Sequence, residues 1–411
     1  MRLRPLLLLA TISVALLAPT AGAAAESPEA QAAFIRAVVQ APVLSAAVQR
    51  ATAARERIES AGRLPDPEVE GMTSRMNGPM GERSTMYELN VRQPLPKRGE
   101  RAADRDRARA SAAMAKADFA VMAGEMAADT AMALADAEGA AARIRILETQ
   151  LGRLDAVLRS VQVRLAAGTT GRIADRLTIQ TRTASMQLMA EEERLMAADA
   201  LADARARLGL DPEAPLPAYA APTRADISAD DAAVLRLAAA RSDEAAAMIK
   251  MARASSNPMT AVGVRLERER GSMGEEDTIG LAFMSEIPWR SRRYAVAEVR
   301  AAGAERGAAQ ADAAAARYRI SAALARVDRA ERLAELARRL SAETLGRLDA
   351  EYDALVRSAG VGGSSDSTVL MTVELLEKAT DTELQIIRAD TAVRTARAEL
   401  WRYVPAEQFS L

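Results

Sequence analysis

The feature that most constrains this chain is a duplication. Landmarks of the first half recur in the second at a nearly constant offset: Pro67 and Pro258 are 191 residues apart, Pro96 and Pro288 are 192 apart, and Gly168 and Gly360 are again 192 apart. The pentapeptide Gly-Arg-Leu-Asp-Ala begins at Gly152 and again at Gly346, 194 residues on. Matches that keep their order at one offset mark two copies of a single structural unit.

Each copy reads as helix, strand, turn, strand, long helix, turn, helix. The first repeat covers residues 26–210. A helical stretch from Pro28 to Gly62, interrupted at Pro42, is broken by Leu64-Pro65-Asp66-Pro67. A β-hairpin over 67–94 follows, turning at Asn77-Gly78-Pro79-Met80-Gly81. In its return strand Tyr87, Leu89 and Val91 alternate with Glu88, Asn90 and Arg92, the period of two that gives one apolar and one polar face. From Gly99 to Pro212 there is no proline. Ile144, Leu147, Leu151, Leu154, Leu158, Val161 and Leu165 recur there at alternating steps of three and four, a seam for a neighbouring helix. A helix of roughly 70 residues would be about 105 Å long. The chain then reverses at a tip near residue 168 and returns from 173 to 208.

A Pro-rich linker, 211–226, leads to the second repeat, 227–411. It has a helix from 228 to 254, a β-hairpin over 258–287, a long helix from 290 to 357, a tip near 360 and a last helix reaching Tyr403. Val262, Val264 and Leu266, then Ile279, Leu281 and Phe283, alternate with polar or small residues. The fold class is mainly α with a small β part.

Residues 1–25 have the layout of a secretory signal peptide: Arg2 and Arg4, an apolar run from Leu6 to Leu17, then small residues to Ala25. The chain has no Cys and no His, which removes disulfides, Ser-His-Asp and Cys-His catalysis and ordinary zinc sites. Aspartates and glutamates follow helical surface spacing, so no enzyme activity and no cofactor are expected. Charged residues make up 27% yet leave a net charge of −1, which does not suit nucleic acid. Aromatic residues are only 3%, fewer than a large globular core would use.

One chain supplies four strands, too few to close a barrel. If their apolar faces meet lipid, every backbone polar group needs a partner and only closure provides it. Strands of about nine residues cross a bilayer when tilted. Long helices with narrow apolar seams likewise need neighbours along their length. Several copies would therefore join into one hollow tube, with polar strand faces lining water. The competing reading is an exported periplasmic coiled-coil scaffold carrying short hairpins.

Gln93-Pro94-Leu95-Pro96-Lys97-Arg98-Gly99-Glu100-Arg101 resembles the strand-to-helix junction of the TolC-like outer-membrane efflux family, and Ile287-Pro288-Trp289-Arg290-Ser291-Arg292-Arg293 its second copy. Arg164-Leu165-Ala166-Ala167-Gly168 and Arg357-Ser358-Ala359-Gly360 resemble that family's periplasmic tips. The resemblance covers nearly all of the chain after residue 25. It implies a homotrimer with a 12-stranded transmembrane β-barrel in outer-membrane lipid and a helical barrel in the periplasm. It further implies docking to a periplasmic adaptor (membrane fusion) protein coupled to an inner-membrane pump of the RND type. Leu64-Pro65-Asp66-Pro67 and the Gln-Pro-Leu-Pro-Lys-Arg-Gly stretch look most like the heavy-metal (cobalt/zinc/cadmium or copper) branch, whose members often carry a lipid-modified N-terminal Cys that this chain lacks.

By this resemblance Asp366, six residues after Gly360, matches a pore-facing gate carboxylate, while the family's second carboxylate is replaced by Val369. Asp175 is a looser candidate at the first tip. The plainer reading of both aspartates is as caps of the return helices. Gly168, Gly171, Gly360, Gly362 and Gly363 suit tight turns, and with Arg164 and Arg357 they lie where an adaptor would dock. Met72, Met76, Met80 and Met86, with Met259, Met273 and Met284, mark the hairpins; thioethers bind soft ions, but the plainer reading is flexible apolar filler.

Overall fold

The computed structural model describes residues 28–77, 83–166, 173–228, 230–271, 274–360 and 367–409. The signal segment 1–25 lies outside them, as do Gly168, Gly171, Gly362, Gly363, Asp366, Met80 and Met273. The elements, in chain order, are α1 (Pro28–Val39), α2 (Ser45–Ser60), β1 (Glu68–Asn77), β2 (Arg83–Leu95), α3 (Glu100–Ala166), α4 (Ile173–Leu208), α5 (Ala233–Ser255), β3 (Thr260–Gly271), β4 (Gly274–Ser285), α6 (Ser291–Gly360) and α7 (Ser367–Ala398). A 3₁₀ turn at Pro42–Leu44 separates α1 from α2, because proline cannot continue the hydrogen-bond ladder. Two further 3₁₀ segments, Glu399–Tyr403 and Ala406–Phe409, follow α7. The last helix therefore ends five residues short of Tyr403, and α5 starts at Ala233 rather than at 228 because Ala232 bridges Pro405.

α3 and α6, of 67 and 70 residues, are each about 100 Å long at 1.5 Å per residue. Their buried positions keep a seven-residue period. In α3 these are Ala103, Ala110, Ala117 and Ala131, with Gly124 in the missing place; in α6 they are Ala295, Ala302, Ala309, Ala316 and Ala323. Ile320, Val327, Ala334 and Ser341 form a second such row in α6. A strict heptad underwinds the helix into a left-handed supercoil. Alanine in the row lets neighbouring backbones approach closely; a Cβ on Gly139 of α3 would fall 2.4 Å from Thr391 Oγ1 of α7.

The chain divides into two compact units that cut across the repeats, each drawing on both. The first comprises residues up to Ser45, Met122–Ala232 and Tyr318–Leu411. Here Leu154 and Val161 of α3, Ile179 and Met186 of α4, and Val373 and Leu376 of α7 form one apolar cluster. Leu147, Ala190 and Leu384 form another. Each of the seven residues of the predicted α3 seam is buried or half-buried. Gln150, fully buried on α3, donates from Nε2 to Glu383 Oε2 at 3.2 Å. Ion pairs tie α3 to α4 and to the 3₁₀ segment after α7: Arg143 to Glu193 at 2.8 Å, Arg194 to Glu148 at 2.6 Å, and both Arg207 and Arg402, the latter in that segment, to Asp129 at 2.7 Å. The exposed pair Arg194–Glu148 contributes about 1 kcal/mol or less. The 3₁₀ tail closes one end of the unit, where Trp401 stacks on Phe34 with ring centroids 5.5 Å apart and touches Phe409 at 6.2 Å.

The second unit, Ala46–Val121 and Ala233–Arg317, holds the sheet. All four strands are antiparallel in the order β1-β2-β3-β4, so the hairpins of the two repeats join through β2 and β3. Gly263 makes that contact close: a Cβ there would lie 2.5 Å from the Val91 carbonyl oxygen. The junction after β2 is held by side chains. Lys97 N–H donates to Glu100 Oε2 at 2.8 Å, Lys97 Nζ to the Ser255 carbonyl at the end of α5 at 3.1 Å, and Arg101 Nε to the Gly62 carbonyl at 2.8 Å. Gly62 has φ +68° and packs its α-carbon against Arg101, so no other residue fits there without strain.

Candidate functional site

Alternation along four registered strands gives the sheet two unlike faces. One carries Val69, Tyr87, Leu89, Val91, Val262, Val264, Leu266, Ile279, Leu281 and Phe283, which the register sets in rows such as Val69–Val91–Val264–Leu281. These side chains are exposed: Leu281 by 93%, Ile279 by 77% and Phe283 by 72%. The opposite face carries Glu68, Glu70, Glu88, Glu267, Glu269 and Glu276 against only Arg92 and Arg265. Arg92 pairs with Glu68 at 2.6 Å, and Arg265 with Glu88 at 3.0 Å and Glu267 at 3.2 Å.

An exposed apolar face of this extent marks a surface meant for lipid or protein rather than water. It is also bounded. Towards the hairpin turns the same face becomes charged, with Arg268 bonded to Asp277 at 2.6 Å and Arg270 paired with Glu275. Aromatic rings stand at both ends of the apolar rows: Tyr87 beside Arg268, and Phe283 with the 82%-exposed Trp289 towards the helices. From the row of Tyr87 to that of Phe283 is six residues of β4, about 20 Å along the strand. The outer strands β1 and β4 each pair on one side only, leaving a row of unpaired backbone groups that a further strand could satisfy.

The predicted tip residues fare unevenly. Asp175, at the third position of α4, is only 4% exposed and stands in the buried seam, one turn before Ile179. Burial sets it in the packing of this chain rather than on an open face. Arg164 is half-buried near the end of α3, and Gly360 is the last residue of α6. Arg357 is helical, and its side chain is outside the described residues, as are Asp366, Gly168, Gly171, Gly362 and Gly363. Val369 packs on the Leu154 cluster. Among the described residues no group of three or more His, Cys, Asp or Glu side chains could hold a metal ion.

A cavity of about 660 Å³ in the first unit is lined by Met132, Asp136, Arg143, Arg326, Arg388 and Thr391, among others. Sequence reasoning did not find it, because its residues come from α3, α6 and α7. Burial raises the Asp136 carboxyl above the ordinary carboxylate range, against the opposing pull of Arg143 and a hydrogen bond from Thr395. Folding thus favours the protonated form of Asp136 relative to the unfolded chain. Stability from this group is fully present below the unfolded-state value and falls as pH rises through the folded one. Asp136→Asn, which lacks the charge, is expected to raise the thermal midpoint at neutral pH, with the gain shrinking towards pH 4; midpoints measured across that range test it.

Comparison with known proteins agrees with this geometry. Residues 35–209 match the model of the outer membrane efflux protein family, OEP. No curated protein sequence matches significantly. Among solved structures, the outer membrane protein VceC of Vibrio cholerae superposes with a TM-score of 0.72 at 14% identity, over 90% of this chain and 95% of that one. CusC, described in terms of folding and transmembrane channel formation, gives 0.69 at 16%, over 91% of each chain. The CmeC outer membrane channel of Campylobacter jejuni gives 0.66 at 13%, over 91% and 85%. The first repeat thus carries the sequence signature of the outer membrane efflux proteins, on a chain whose fold over nine tenths of its length is that of outer-membrane channel subunits.

Proposed function

We propose that this chain is one subunit of an outer-membrane efflux channel, a passive exit duct in the outer membrane with its helices in the periplasm. Three copies contribute four strands each to a 12-stranded barrel, and their helices close into a tube. The observation that carries the reading is the two-faced sheet with two open edges. Its exposed apolar rows, ringed by aromatics, suit lipid, its charged face suits a water-filled lumen, and β1 and β4 find partners only on neighbouring copies. Solutes or metal ions reach the duct from an inner-membrane pump, of RND type, through a periplasmic adaptor. The Gln93–Gly99 junction supports assignment to the heavy-metal efflux branch. Asp366 is assigned to a carboxylate ring at the tip. Asp175, being buried, is the weaker of the two gate candidates, and Arg164, Gly168, Gly171, Arg357, Gly360, Gly362 and Gly363 are assigned to adaptor docking.

Purified protein in planar bilayers tests the reading. A trimer that conducts is expected, and a water-soluble monomer without ion current would overturn it in favour of a periplasmic scaffold. Six carboxylates against two guanidiniums among the described residues of the lumen face make the pore cation-selective. Converting Glu88, Glu267 and Glu269 to Gln is expected to move the reversal potential under a salt gradient markedly towards the non-selective value while leaving the trimer intact.

A further inference from the structure

The methionines of the sheet are partitioned in a way that apolar packing does not explain. Met72 and Met76 of β1, Met86 of β2 and Met284 of β4 all fall on the charged face. Among the described residues the apolar face, built from Val, Leu, Ile, Phe and Tyr, has none. Filler would belong among the apolar rows; here, among the described residues, thioethers are the only large apolar side chains among the carboxylates. Met72 and Met76 are 54% and 50% exposed.

Three of the four are neighbours. Ser74 pairs with Met86, so Met86 lies diagonally between Met72, opposite Glu88, and Met76, opposite Ser84. Diagonal positions on one face are about 7–8 Å apart, within reach of long side chains, and methionine has three rotatable bonds with which to converge. In the next strands the Met86 row continues as Glu269 and then Glu276, directly opposite each other. Like charges in that arrangement repel, and among the described residues neither carboxylate has a cationic partner. A cation beside Met86 would relieve that repulsion. Thioethers without imidazole or thiolate select soft monovalent ions over Zn(II), Ca(II) or Mg(II).

We propose that Met72, Met76 and Met86 form a thioether site for a soft monovalent cation, Cu(I) or Ag(I), with Glu269 and Glu276 supplying the countercharge. That this site borders the transport lumen rests on the channel reading; the binding itself does not.

The test uses the full chain in detergent with Ag(I), which needs no reductant. Equilibrium dialysis should show one tightly held Ag(I) per chain, and X-ray absorption at the silver edge should show sulfur neighbours. Met86→Leu keeps the volume and is expected to weaken binding about tenfold or more, the scale on which loss of even a supporting partner of a metal site acts. Met284→Leu, on the same face of another strand, should leave it unchanged, and Zn(II) should not compete. Silver bound equally by wild type and by the triple Met72, Met76, Met86 to Leu variant, or held by oxygen ligands alone, overturns the site. Bilayer conductance of the same samples separates the two readings: silver binding without conductance sinks the channel and keeps the site, and conductance without thioether binding does the reverse.

Discussion

Replacing Leu281 by arginine is expected to abolish assembly into the outer membrane, although Leu281 is 93% exposed. At an exposed position of a water-soluble protein such a change is nearly neutral, within about 0.5 kcal/mol. In a barrel wall, arginine on the lipid face near the bilayer midplane costs about 2–4 kcal/mol, and a homotrimer carries that cost in every copy. Leu281 is the sharpest place to ask. Its row, Val69–Val91–Val264–Leu281, lies midway between the rows of Tyr87 and Leu95. Ala282→Arg, one residue away on the charged face, is the control and should assemble. Membrane fractionation and the trimer band on unheated gels give the readout. If Leu281→Arg assembles as well as Ala282→Arg, the apolar face does not meet lipid and the scaffold reading gains.

That contrast rests on a parity that was legible in the sequence. Val264 and Leu266 against Arg265 and Glu267 announce a two-faced strand whatever the strand meets. The heptad row from Leu147 to Val161 was legible for the same reason, since a seam is periodic along one helix. Pairing of β2 with β3 was not, because it depends on two hairpins more than 160 residues apart, and no local pattern says which edges meet. The interleaved compact units were hidden likewise: α3 is one uninterrupted helix in sequence, yet Val121 and Met122 fall in different units. At the candidate gate the sequence offered Asp175 by its distance from a glycine tip. Only the packing of α4 shows that it stands in line with Ile179, where a carboxylate is enclosed rather than presented. The methionine partition could have been read from residue parity, since Met72, Met76 and Met86 are even-numbered like Glu88 and Arg92; the two strands needed their register before the parity meant a common face.

Scarcity of aromatics suggested a molecule without a bulky core, and one end of the first unit departs from that. Two of the four phenylalanines and one of the two tryptophans meet there. Trp401 is 1% exposed, stacks on Phe34, and donates from Nε1 to the Ala220 carbonyl at 2.9 Å. A Cβ on Gly124 would come within 2.8 Å of the Trp401 carbonyl oxygen, so α3 already lies against this segment with no slack. Trp401→Ala removes the largest buried side chain of the chain from a site hemmed in by α1, α3 and the Phe409 tail, and the surrounding backbone has little room to collapse. Loss of about 3–5 kcal/mol is expected, enough to lower the apparent thermal midpoint by about 5–15 °C. Trp401→Phe separates the causes. It retains ring packing but strands the Ala220 carbonyl, a loss of about 1–3 kcal/mol, so its midpoint should fall between those of the wild type and the alanine variant. Because these contacts join segments from opposite ends of the sequence, alanine at this position should also slow assembly of the trimer, whereas an exposed polar control such as Glu192→Gln on α4 should shift neither midpoint nor yield. Equal midpoints for the alanine variant and the wild type would mean that the aromatic cluster contributes nothing to holding the first unit closed.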